Sequence, residues 1–198
     1  MSDTLQRFIE AQESSPGVRH ALEELRAGRK RTHWIWYVFP QLRGLGSSPA
    51  ALMFGLNGIA EATAYLRHGV LRARLLEAAE TAAHSVRSGI RLTTVMGAGI
   101  DVLKLVSSMT LFDDLSRRLA ADPEIGADCQ RLATAAGTLL AAAARKAFPV
   151  RVHAPVAVGP ARLNSQSGPP SLTRLRVRGN GARRCITGRH SYRPEEVQ

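Results

Sequence analysis

Cysteine is scarce in this chain, and so are lysine and the aromatics. Cys129 and Cys185 are the only two cysteines in 198 residues, far apart and without C-x-x-C spacing. That excludes a disulfide framework or a zinc ribbon and reads as two free thiols. His33, His68 and His84 lack the H-x-x-x-H spacing of a helical metal site. Asp113 and Asp114 are adjacent, so they point apart on a helix. No metal site is expected from either set. Gly44-Leu45-Gly46 is too short for a dinucleotide fingerprint, no G-x-S-x-G elbow occurs, and no cofactor is expected. No apolar run approaches the roughly 18 residues of a membrane helix. The opening MSDTLQRFIEAQ has no apolar centre of the kind a secretion signal carries. A cytoplasmic location without a membrane partner is the expectation. No internal repeat is visible.

What is present is arginine, alanine and an uneven charge. The formal net charge is +11. Residues 1–150 hold 18 Lys+Arg against 14 Asp+Glu, whereas residues 151–198 hold 9 Arg against 2 Glu. Most of the basic excess therefore sits in the last quarter. Lysine occurs only at Lys30, Lys104 and Lys146. An Arg- and Ala-rich bias of this kind fits a GC-rich genome, which weakens any inference from basicity to nucleic acid. From Pro149 onward the periodicity dissolves into Pro-, Gly- and Arg-rich sequence, and residues 149–198 are predicted to be a disordered tail. Nucleic-acid binding through phosphate contacts is a reading that this tail alone supports, and compositional bias is the preferred account of it.

Helical periodicity runs through the rest. Leu5, Phe8, Ile9 and Gln12 share one face of a first helix. Val18–Ala27 follows, with Ala21, Leu22 and Leu25 inward, Glu23, Glu24 and Arg26 outward, and Gly28 placed to end it. Ser48-Pro49 is a helix start, serine as N-cap and proline in the first turn. Ile59–Leu66 is another short helix and Val70–Ser85 a strong one, with a break at His68-Gly69 between them. Ser88–Gly99 reads as a loop. Asp101 is placed as N-cap of a helix to Leu119 that Asp122-Pro123 stops. Cys129–Phe148 is an Ala-rich amphipathic helix whose face, Leu132, Ala136, Leu139, Leu140 and Ala143, is regular but low in volume. The fold class is all-α, a multi-helix domain with a disordered C-terminal tail. The expected division is 1–122 as the helical domain, 123–148 as an Ala-rich helix of doubtful origin, and 149–198 as the tail.

The stretch GRKRTHWIWYVFPQLRGLG, Gly28–Gly46, stands apart. Four of the ten aromatics, Trp34, Trp36, Tyr37 and Phe39, fall within six residues and follow three consecutive bases. Propensity favours a strand. Helical spacing instead groups Trp36, Phe39 and Pro40 on one side and His33, Trp34 and Tyr37 on the other. With the following SSP, this stretch resembles the G-x-K-x-x-H-W-x-W-x-x-F-P-Q-x-x-G-L-G-x-S run of an uncharacterised bacterial family catalogued as domain of unknown function 1810. Further blocks match in order: LQRFIEAQ at the start; Ala64-Tyr65-Leu66 with His68, Val70 and Leu71; and Asp101, Leu103 and Lys104 with Ser107–Phe112. The resemblance spans about residues 5–115 and implies a mainly α-helical domain, which tips the aromatic run toward helix. Gly69 stands where the family usually has proline. The family's usual ending, a short aromatic-containing helix, is not found, and the sequence after about Asp122 reads like a shifted frame or a read-through. The label calpastatin-like, which some members carry, does not suit a packed helical pattern without repeats.

Two blocks could carry chemistry. Arg29, Lys30, Arg31 and His33 set cationic donors beside the flat faces of Trp34 and Trp36, with Gln41 just beyond; the combination suits an anionic ligand that carries a ring, such as a nucleotide. The same aromatics could equally be core. Asp101, Lys104, Ser107 and Ser108 fall at helical spacings that place Asp101, Lys104 and Ser108 on one face. If that face meets the first block, a pocket of cations, hydroxyls and an imidazole results. A Ser107 or Ser108, His33, Asp101 triad can be drawn on paper, and no catalytic residue is assigned. The alternative is a structural or protein-interaction module with no small-molecule site.

Overall fold

The structure is a computed structural model that describes residues 3–97 and 99–145. The chain divides into two units, Met1–Val152 and His153–Gln198. The second, and with it the expected tail at 149–198, lies outside the described residues. Within them the protein is all-α: α1 (Asp3–Glu13), α2 (Gly17–Arg26), α3 (Ile35–Val38), α4 (Pro49–Met53), α5 (Ile59–Arg67), α6 (Gly69–Arg87), α7 (Leu92–Met96), α8 (Gly99–Arg118) and α9 (Gly126–Ala144). None of these helices is long and apolar enough to cross a membrane.

The long helix α9 packs on both α8 and α6, and α2 closes over α6 with α1 beside it. The core follows from the apolar spacing of each. Phe8 of α1, Tyr65 of α5 and Phe112 of α8 are fully buried and stack in series, with centroids 5.2 Å apart at 89° for the first pair and 5.6 Å for the second. Edge-on aromatic pairs of this kind add ~0.5–1.5 kcal/mol to their burial. Gln12, on the buried face of α1, donates from Nε2 to the Tyr37 carbonyl at 2.7 Å and to the Tyr65 hydroxyl at 3.1 Å. This amide satisfies polar atoms that the core would otherwise strand.

Several helix ends obey local rules. Ser48 caps α4 by accepting from Ala51 N–H at 3.2 Å, with Pro49 at the first position. Gly28 takes φ +66° just past α2. At α6 the break is a cap, because His68 Nδ1 accepts from Leu71 N–H at 3.4 Å. Other ends depart from expectation. Asp101 does not cap α8, which starts two residues earlier at Gly99. The stretch read as a loop between Ser88 and Gly99 contains α7. The aromatic run forms a single turn, α3, and no strand. Phe39 leaves the helical region (φ −121°, ψ 72°) because the ring of Pro40 crowds the residue before it. Beyond the turn, one parallel bridge joins Leu42 to Leu56.

Helix α9 is docked from both sides. Leu132, Ala135, Ala136 and Leu139 are buried in the common core. Arg72 on α6 pairs with Asp128 at 2.9 Å, and Arg131 reaches Glu80 of α6 at 2.8 Å.

Candidate functional site

The residues flanking the aromatic turn are positioned by one carboxylate. Glu24, on α2, is buried at 7% exposure, against its expected outward placement. It accepts from Arg31 N–H at 2.8 Å, from Thr32 N–H at 3.1 Å and from the Trp34 indole Nε1–H at 2.7 Å. Burial alone would raise its pKa, but these donors prevail and hold it down at about 2. Trp34 is in consequence a core residue, 1% exposed, with its only donor spent on Glu24. The real inward grouping is Trp34, Ile35, Val38 and Phe39, neither of the two groupings the spacing offered. Trp36 and Tyr37 are left half-buried at the edge.

The second block comes to this edge. Lys30 is anchored by its own backbone, N–H to the Val95 carbonyl at 2.8 Å. Its buried ammonium reaches Asp101 Oδ2 at 2.6 Å and the Thr32 carbonyl at 2.7 Å, and lies 5.2 Å from the Trp34 ring centroid. Lys104, one turn along α8, donates to Asp101 Oδ1 at 3.0 Å and sits 4.2 Å over the Trp36 ring. A cation at that distance from an indole face is attracted by the ring quadrupole. Burial would raise the Asp101 pKa, but hydrogen bonds from the two lysines override it and keep the carboxyl below its ordinary range. The first turn of α8 adds a favourable dipole for that charge. Two ammonium groups thus share one carboxylate, which leaves an excess of one positive charge under a half-exposed indole. The Trp36 Nε1 is buried and has no hydrogen-bond partner among the described residues.

The structure therefore brings together Lys30, Trp34, Trp36, Asp101 and Lys104. Arg29, Arg31 and His33 are exposed beside them in the chain. Ser107 is half-buried, and Ser108 is fully buried with no partner for its Oγ among the described residues. Gln41 is buried and holds the Leu42–Leu56 bridge through its carbonyl, 2.9 Å from Leu56 N–H. A Ser–His–Asp relay is not assembled, because both oxygens of Asp101 are taken by lysines. Sequence reasoning missed Glu24 and Thr32. Ala21, Glu24, Leu25 and Gly28 fall at i, i+3, i+4 and i+7, a signal that Glu24 lies on the inward stripe.

The chain is similar to a conserved hypothetical protein of Mycobacterium tuberculosis, Rv1873, known from a crystal structure at 1.38 Å. The two are 43% identical over 66% of this chain and 84% of that one, with a TM-score of 0.54. No curated protein matches the chain. The family described as Protein of unknown function (DUF1810) matches residues 2–124, and the chain belongs to that family.

Proposed function

We propose that this protein binds a small anionic molecule that carries a flat ring, nucleotide-like in character, at the Lys30–Asp101–Lys104 cluster beside Trp36. The observation that carries the reading is the uneven charge count: two lysine ammoniums on one carboxylate, with the outer one, Lys104, resting on a half-exposed indole. An anion would balance the excess charge. The accessible part of the Trp36 ring would take a flat ring. Arg29, Arg31 and His33 supply further donors at the rim. No reaction is assigned: Lys30, Asp101 and Lys104 are tied to one another in ion pairs.

A thermal-shift series tests the reading with 5′-AMP, ribose 5-phosphate and inorganic phosphate. A ligand at a hundred times its Kd adds about 2.7 kcal/mol of stability. The nucleotide should raise the melting temperature most, Lys104→Ala should abolish the shift, and Trp36→Leu should remove the preference for nucleotide over phosphate. No shift with any of the three would overturn it. A second reading has its own support. Lys30 is only 5% exposed at its side chain, and two of its three N–H donors are spent on Asp101 and Thr32. On that reading the cluster is a clamp between the aromatic turn and α8 in a structural or protein-interaction module, and Lys104→Ala changes stability but no binding.

A further inference from the structure

A concavity that none of the three lysine-cluster residues lines lies where α6, α7 and α9 meet the start of α8. Helix α6 stops at Arg87, and Gly89 turns the chain with φ +91°. Ile90 is then pressed onto Gly28, where a Cβ would lie 2.7 Å from the Ile90 side chain. Helix α7 follows at once, and α9 ends alongside with Ala142 and Ala143. Their small side chains do not fill the space between Val86, Leu92 and Val102, which leaves a cavity of about 270 Å³. Its walls are mainly apolar, and its two charged members are both arginines, Arg91 and Arg145. Among the described residues no Asp or Glu lines it.

The geometry points to a second binding site here, for an apolar monocarboxylate of about octanoate size. The volume lies just under the ~300 Å³ at which small-molecule pockets begin, so the occupant is small. An apolar cavity of only ~150 Å³ already admits benzene, so there is room for a short alkyl chain. An apolar body matches the aliphatic walls, and a single compact anion matches two exposed guanidiniums, which take carboxylate oxygens through paired N–H donors. A cationic amphiphile finds no counter-charge, and a highly charged anion such as a nucleotide finds no use for the apolar walls. Charge complementarity thus selects the head group and volume selects the tail.

The full chain should be titrated with octanoate, octylamine and octanol below their aggregation thresholds, following amide chemical shifts at Leu92 and Val102. Octanoate should bind at least tenfold more tightly than octylamine, with octanol between them. Arg91→Ala combined with Arg145→Ala should erase the preference for octanoate over octanol. Both arginines are exposed, so this variant should fold. Ala143→Phe, which fills the cavity, should abolish binding of all three. Equal affinities for octanoate and octylamine, no binding of octanoate to the full chain, or octanoate binding that survives both variants would each overturn the proposal. None of these results depends on the lysine cluster.

Discussion

Glu24 shows how much a single side chain can organise. Its two oxygens accept from Arg31, Thr32 and Trp34, so one carboxylate fixes both the backbone entering the aromatic turn and the indole at its centre. The folded pKa of about 2 lies below the ordinary value of 4.5. A depressed carboxylate contributes stability in full above the unfolded value and loses it as pH falls through the folded one. The window is therefore about pH 4.5 down to 2, and a shift of this size corresponds to roughly 3 kcal/mol at 1.36 kcal/mol per unit. Glu24→Gln should cost about 2–3 kcal/mol at pH 7 in urea unfolding and flatten the acid limb of the stability curve. A variant that kept the wild-type acid limb would show that the indole and amide donors do not stabilise the charge. Trp34→Phe should cost at least about 1–2 kcal/mol, because it removes one of the donors and leaves part of a fully buried indole's volume unfilled. At this scale the sequence was only partly legible. Helical spacing placed Lys104 and Asp101 on one face, but whether a glutamate two residues past a buried alanine-leucine pair turns inward depends on what waits there to donate to it.

Among the elements, the ones with chemical punctuation were readable and the ones defined by packing were not. Ser48-Pro49 announces α4 by a hydroxyl cap and a proline, and both are used. Helix α7 is hidden between glycines, since Gly89, Gly97 and Gly99 make any reading of that stretch favour a loop. Its last residue is followed by Gly97 at φ +77°, where a Cβ would stand 2.7 Å from the Lys30 carbonyl oxygen. That close approach lets Val95 receive the Lys30 N–H and so brings the first site block against α7. Gly97→Ala must strain the backbone or push Lys30 away. We expect a loss of roughly 1–3 kcal/mol, together with a disturbed Trp36 fluorescence as Lys104 and Asp101 follow Lys30. Fluorescence unchanged in a destabilised variant would mean that the clamp adjusts independently of α7. The aromatic run was ambiguous for a related reason. Strand propensity and helical spacing were both present in it, and Pro40 stopped the helix after one turn.

At the scale of the molecule, the question is whether α9 belongs. The family match ends at residue 124, before α9 begins at Gly126. Composition set residues 123–148 apart, and periodicity made the helix itself visible. Its docking was not legible, because alanine signals little about partners. Alanine is buried along both helices: α6 buries Ala78, Ala79, Ala82 and Ala83, and α9 buries Ala135 and Ala136. Small side chains on both helices permit close backbone approach, and the larger Leu132 and Leu139 extend into the shared core. If this packing is integral, α9 opens only with the rest. Native-state hydrogen exchange should then find the amides of Leu132–Leu139 protected to within about 1 kcal/mol of those of Leu105–Phe112 on α8. Leu139→Ala should lower both sets together, by about 2–5 kcal/mol for a fully buried leucine. Rapid exchange in α9 with α8 unaffected would mark it as an appendage resting on a domain that is complete at the end of α8, and the cavity beside Ala143 would then lose one of its walls.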